Sequence, residues 1–120
     1  MGLTHVEVTV TSASKKNGAY TAEFLVDSGA TDSIIASDEL QRFGIEPETA
    51  GLYELADGSR REFQIGGARL EFMGAIRFAT VVFGAPGAEP VLGVTALESA
   101  GFMLDPTTQT LKKLPAIPLK

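Results

Sequence analysis

An all-β fold, closed or sandwiched and rich in tight turns, is what this sequence predicts, and three observations carry it. Val6, Val8 and Val10 alternate with Glu7, Thr9 and Thr11, the period of a half-buried strand. Glycine accounts for 13 of 120 residues, and Asn17-Gly18 and Asp57-Gly58 each sit between two strand-like runs, as hairpin turns do. Helical signals are confined to two short stretches. Seven or eight short strands with two short helices suit a closed or sandwiched β architecture. No repeat, low-complexity stretch or linker interrupts residues 1–120, so the length predicts a single domain.

Taken in order, the first strand at Val6 turns at Lys15-Lys16-Asn17-Gly18 and returns over Tyr20–Val26, which becomes wholly apolar at Phe24-Leu25-Val26. Ile34-Ile35 is a short buried piece. Ser37 is placed to cap a helix over Asp38–Phe43, with acidic residues in its first turn and Gly44 ending it. Leu52–Leu55 and Arg61–Ile65 flank Asp57-Gly58. Gly66-Gly67 reads as a turn or bulge, followed by separate strands at Ala68–Phe72 and Ile76–Phe83. After a loop over GAPGAEP come Val91-Leu92-Gly93, a helix with a Thr95…Glu98 capping box, and a stop at Gly101. Phe102-Met103-Leu104 and Thr110-Leu111 surround a last turn at Asp105-Pro106-Thr107-Thr108. The tail LPAIPLK holds two prolines and cannot be a central strand.

Composition removes several functions. The chain has no cysteine, so thiolate zinc sites, disulfides and cysteine nucleophiles are excluded. A single histidine, His5, argues against His-dependent triads and multi-His metal centres. The net charge of −5, with basic residues scattered in pairs, speaks against a nucleic-acid partner. No apolar run is long enough to span a membrane, and MGLTHVEV lacks the pattern of a secretory signal. The expected location is cytoplasmic.

The chemistry concentrates at FLVDSGATDSIIA. An apolar strand delivers one carboxylate, Asp27, into a turn of Ser28, Gly29 and Ala30. Gly29 allows close backbone approach and unusual φ; Ser28 can brace the turn; Ala30 is small enough for another backbone to pack on it. One aspartate is a poor hydrolase. Two held close share a single proton, so that one acts as base on a water while the other donates to a carbonyl oxygen.

LVDSGATDSII resembles the signature of the retropepsin-like aspartic proteases. PVLGVTALESAGFMLDP resembles their second hallmark, an apolar pair and glycine before a short helix. The likeness runs from about Val6 to Leu114 and is nearest to the small bacterial and archaeal members of that family. It implies a small closed β-barrel of the acid-protease type and a symmetric homodimer that cleaves peptide or protein substrates without a metal or other cofactor. In that likeness Asp27 is catalytic, with Ser28, Gly29 and Ala30 as the supporting loop. Ala56, Asp57, Gly58 and Ser59 fall where the family has its substrate-covering flap, and Leu92 and Gly93 pack behind the loop. Since the chain carries one Asp-Ser-Gly turn, a second copy must supply the other aspartate.

Plainer readings stand beside these. An aspartate can close a turn by bonding its own backbone. Asp32 reads as a loop hydrogen-bonding residue and not a metal ligand, since no EF-hand spacing is present. His5 reads as a surface residue, and Asp105-Pro106 as a turn. A non-catalytic dimerisation or peptide-binding module, or a monomeric β domain with a structural Asp27, are the alternatives to a peptidase.

Overall fold

The computed structural model describes residues 4–105, 107–108 and 110–119. Its strands are β1 (Thr4–Thr11), β2 (Tyr20–Val26), β3 (Ser33–Ala36), β4 (Thr49–Glu54), β5 (Arg60–Phe72), β6 (Ala75–Gly84), β7 (Val91–Leu92), β8 (Phe102–Asp105) and β9 (Thr110–Lys113). Two short helices, α1 (Ser37–Arg42) and α2 (Val94–Ser99), lie between them. The protein is all-β in class, as its sequence predicts.

Seven strands form one sheet in the order β1-β2-β7-β3-β6-β5-β4, and β1 also pairs with β5. That extra pairing, at Thr9↔Glu71, Val10↔Leu70 and Thr11↔Arg69, closes β1, β2, β7, β3, β6 and β5 into a ring. The chain enters the ring as an antiparallel hairpin, with Val6 opposite Phe24. β2 then runs parallel to β7, pairing Val26 with Leu92, and β3 runs parallel to β6. β4 pairs only with the first half of β5, from Thr49↔Ile65 to Glu54↔Arg60, so this hairpin projects from the ring. β8 and β9 make a separate two-stranded sheet.

The alternation read in β1 is what fills the interior. Val8 and Val10 are buried, and Phe24, Ile35, Leu70, Phe72, Val81 and Leu92 join them from the other strands. Leu40 of α1 and Leu97 of α2 are buried in the same core. Each such side chain withdrawn from water contributes roughly 1.5–3 kcal/mol.

Three local expectations are corrected. Gly66-Gly67 is neither turn nor bulge: β5 is one strand of 13 residues that pairs with β6 in unbroken register from Ile65 to Phe72. Glycine is required at 66 because a Cβ there would lie 2.7 Å from the Glu46 carbonyl oxygen. The caps also differ. Ser37 is the first helical residue of α1, and Thr95 lies inside α2; the flanking residues are Ala36 and Gly93, and neither helix has a side-chain cap bond. At the far end Gly101 does stop α2, with φ +84°. In the last turn Pro106 lies outside the described residues; Thr107 N–H donates to the Asp105 carboxylate at 2.9 Å. The proline-bearing tail forms no strand among the described residues.

Candidate active site

β2 ends at Val26, and Asp27 follows at the edge of the ring. Phe24 and Val26 are buried, whereas Asp27, Ser28 and Gly29 are exposed. The strand thus anchors in the core and presents its last acid to solvent. The carboxylate is held locally: Gly29 N–H donates to Asp27 Oδ1 at 2.8 Å, and Ala30 N–H to the Asp27 carbonyl at 3.1 Å. Glycine at 29 leaves room for the carboxylate. Its φ is not left-handed, but a Cβ would stand 3.2 Å from Asp27 Oδ1.

Behind the turn lies β7. Asp27 N–H donates to the Leu92 carbonyl at 3.3 Å, and Leu92 is fully buried. Gly93 touches the loop so closely that a Cβ would lie 2.5 Å from the Asp32 carbonyl carbon and 2.7 Å from the Thr31 carbonyl oxygen. Its N–H donates to the hydroxyl of Ser33, itself buried, at 3.1 Å. The first two residues of α2 complete the arrangement: Val94 N–H donates to the Ala30 carbonyl at 2.8 Å and Thr95 N–H to the Thr31 carbonyl at 3.0 Å. Donors that a helix N-terminus leaves unpaired are therefore used to grip the loop. This is why no side-chain cap is needed on α2.

The hairpin of β4 and β5 carries Ala56, Asp57, Gly58 and Ser59 at its tip, all exposed. Gly58 has φ +86°, and Leu55 N–H donates to the Ser59 carbonyl at 2.7 Å. Ser59 donates to Asp57 Oδ1 twice, from its N–H at 2.9 Å and its hydroxyl at 2.6 Å. These bonds, led by the hydroxyl, hold the Asp57 carboxyl below the usual aspartate range.

One contact joining hairpin to loop was not read from the sequence. Tyr53 on β4 donates its hydroxyl to Asp32 Oδ2 at 2.8 Å. Partial burial, with the Asp32 bond and charge, pushes the Tyr53 phenol up to about 12. Asp32 is thus a hydrogen-bonding residue of the loop, but its partner lies on a distant strand. The only signals were an aromatic at a flanking-strand position and a glycine, Gly51, spaced to leave room beside its ring.

Elsewhere, His5 lies 3.8 Å from Glu89 at the surface. Among the described residues no three His, Asp or Glu side chains gather as a metal site requires, and no helix is long and apolar enough to cross a membrane. A groove lined in part by Ala13, Thr49, Gly67 and Phe78 shares no residue with the Asp27 loop.

A ring of short strands that brings an exposed Asp-Ser-Gly turn onto an apolar-apolar-Gly segment is the arrangement of an aspartic-protease-like domain. Residues 12–99 match the family described as gag-polyprotein putative aspartyl protease, and the chain belongs to it. No curated protein matches the sequence.

Proposed function

We propose that this protein is a homodimeric aspartic endopeptidase whose active site forms when two Asp27 loops meet across a two-fold axis. The observation that carries the reading is an aspartate fixed by main-chain bonds at the end of a buried strand, yet left facing solvent. A carboxylate held rigidly at an open surface is half of a dyad. Family membership supports the same chemistry.

In the assembled site the two Asp27 side chains share one proton, because like charges a few ångströms apart do not both ionise. The ionised one removes a proton from a water as its oxygen bonds to the scissile carbonyl carbon. The protonated one passes its proton to the carbonyl oxygen. Return of a proton to the amide nitrogen then breaks the C–N bond and releases two peptide ends. Ser28 braces the paired loops, Gly29 and Ala30 shape the loop floor, and Leu92 with Gly93 backs it. An extended substrate lies under the hairpin tip at Ala56–Ser59, bound by main-chain hydrogen bonds.

The test is Asp27→Asn, which keeps an oxygen for Gly29 N–H and so preserves the turn. The expected result is an unchanged fold and dimer, measured by circular dichroism and light scattering, with cleavage of an unfolded protein lost between acidic and neutral pH. A fall of at least about 10³-fold is expected when a group essential to the proton transfers is removed. Wild-type cleavage should also be blocked by a statine-type transition-state analogue.

A second reading has its own observation. The Gly29-to-Asp27 bond closes the turn internally, as a purely structural aspartate does. On that reading the chain is a non-catalytic dimerisation or peptide-binding module. Peptide binding without cleavage at any pH would favour it.

A further inference from the structure

Tyr53 and Asp32 are 21 residues apart, and their bond joins two segments that the ring itself does not pair. On the hairpin side the phenol is prepared for this contact. Its ring packs edge-on against Phe63 of β5, with centroids 6.0 Å apart, and the Arg61 guanidinium lies 5.1 Å from the Phe63 centroid. Gly51 leaves room for it: a Cβ there would come within 3.0 Å of the ring. On the loop side, the Asp32 backbone is pressed against Gly93. An aromatic arm packed on Phe63 therefore ends on an acid whose backbone is pressed against Gly93. The hydrogen bond is charge-assisted, the stronger kind.

We propose that the Tyr53–Asp32 bond is a latch that fixes the β4–β5 hairpin to the Asp27 loop, making both side chains positioning residues for substrate. This rests on the reading of Asp27 as catalytic and of the hairpin as the segment that covers a bound peptide. Neither side chain touches the reacting atoms. The latch sets how often the hairpin occupies its closed position, so it acts on substrate affinity more than on the chemical step.

Two measurements test it. The first is amide hydrogen exchange across Thr49–Glu54 and Arg60–Phe63. Tyr53→Phe and Asp32→Ala should each speed exchange there by about tenfold or more, the worth of one hydrogen bond to a charged acceptor. Asp32→Asn keeps a neutral acceptor oxygen and should fall between wild type and Asp32→Ala. The double variant Tyr53→Phe/Asp32→Ala should be no faster than either single change. The second is peptidase kinetics, where the same two single variants should raise KM about tenfold with kcat changed by less than about twofold. Unchanged hairpin exchange, equal acceleration at the core amides of Leu70 and Val81, or additive effects in the double variant would each overturn the latch. If the exchange pattern holds but wild-type protein cleaves nothing, the peptidase reading fails and the substrate-positioning role with it, while the tie between hairpin and loop stands. If cleavage depends on Asp27 but Tyr53→Phe moves neither exchange nor KM, the latch alone fails.

Discussion

The Asp27 loop and the β4–β5 hairpin are both exposed, yet they are held in different ways. The loop is gripped by main chain from behind: Leu92 accepts from Asp27, and Val94 and Thr95 donate to Ala30 and Thr31. The hairpin has no such backing. Its tip is stitched by Asp57 and Ser59, and Tyr53 ties it to the loop through one side-chain bond. Several backbone bonds to a segment anchored in the core through Leu92 and Gly93 cannot break without local unfolding, whereas a single side-chain bond at a half-exposed site can open and close. Exposure alone therefore does not mark a mobile segment; what lies behind it does.

The largest effect should come from invading the backing of the loop. In Gly93→Ala the new methyl would stand 2.5 Å from the Asp32 carbonyl carbon, an approach that backbone cannot relieve by a rotamer change. A loss of about 2–4 kcal/mol is expected, in the range of overpacking at a rigid site. Gly67→Ala is the control. It lies in open space on β5 and has ordinary φ, so it should change stability by less than about 0.5 kcal/mol. Urea denaturation of the two variants measures both. Similar losses in the two would show that the loop is no more tightly backed than the open face of β5.

The next effect is alkaline and belongs to the hairpin. Tyr53 titrates near 12 when folded, against 10 for an ordinary phenol. Between those values the native state keeps a proton that the unfolded chain has lost. This contribution is therefore complete below pH 10 and falls away as pH rises toward about 12. The chain has two tyrosines. In Tyr20→Phe the tyrosinate absorbance reports Tyr53 alone, and adding Asp32→Asn should move its midpoint down toward 10, since the acceptor's charge is gone. A midpoint unmoved by Asp32→Asn would assign the shift to burial only.

How much of this was legible follows from where each contact originates. The Asp27 turn is local: a buried apolar run, one acid, then small residues, all within one segment. The hairpin tip is equally local, because Asp57-Gly58 supplies both the left-handed φ and the side-chain acceptor. Gly66-Gly67 reads as a turn or bulge because glycine pairs normally mark one. Here Gly66 clears the Glu46 carbonyl while the β6 ladder continues past it, and that carbonyl belongs to another part of the chain. The helix caps differ from the sequence pattern for a related reason. Thr95 looked like half of a capping box, but the donors at the start of α2 were already taken by loop carbonyls more than 60 residues earlier in sequence. The Tyr53–Asp32 bond shares that origin: it exists only once the hairpin has folded against the loop. Sequence periodicity reports which face of a strand is buried, not which side chain of a distant strand it will meet.

The smallest effect lies at the hairpin tip and runs opposite in pH to that of Tyr53. The Asp57 carboxyl is held below its usual 3.8 by the hydroxyl and N–H of Ser59. A depressed carboxyl favours the folded turn while it is ionised, so this contribution is present above about pH 3.8 and is lost as pH falls through the folded value. Because the group is fully exposed and screened, the loss should loosen the tip without unfolding the ring. The amide resonance of Ser59 reports it: its shift should titrate with a midpoint below 3.8, and Ser59→Ala, which removes the stronger of the two donors, should raise that midpoint. The Leu70 and Val81 amides should stay unaffected across the same range. Core amides that move together with Ser59 would mean that the tip is not independent of the ring, and the contrast between a fixed loop and a separable hairpin would fail.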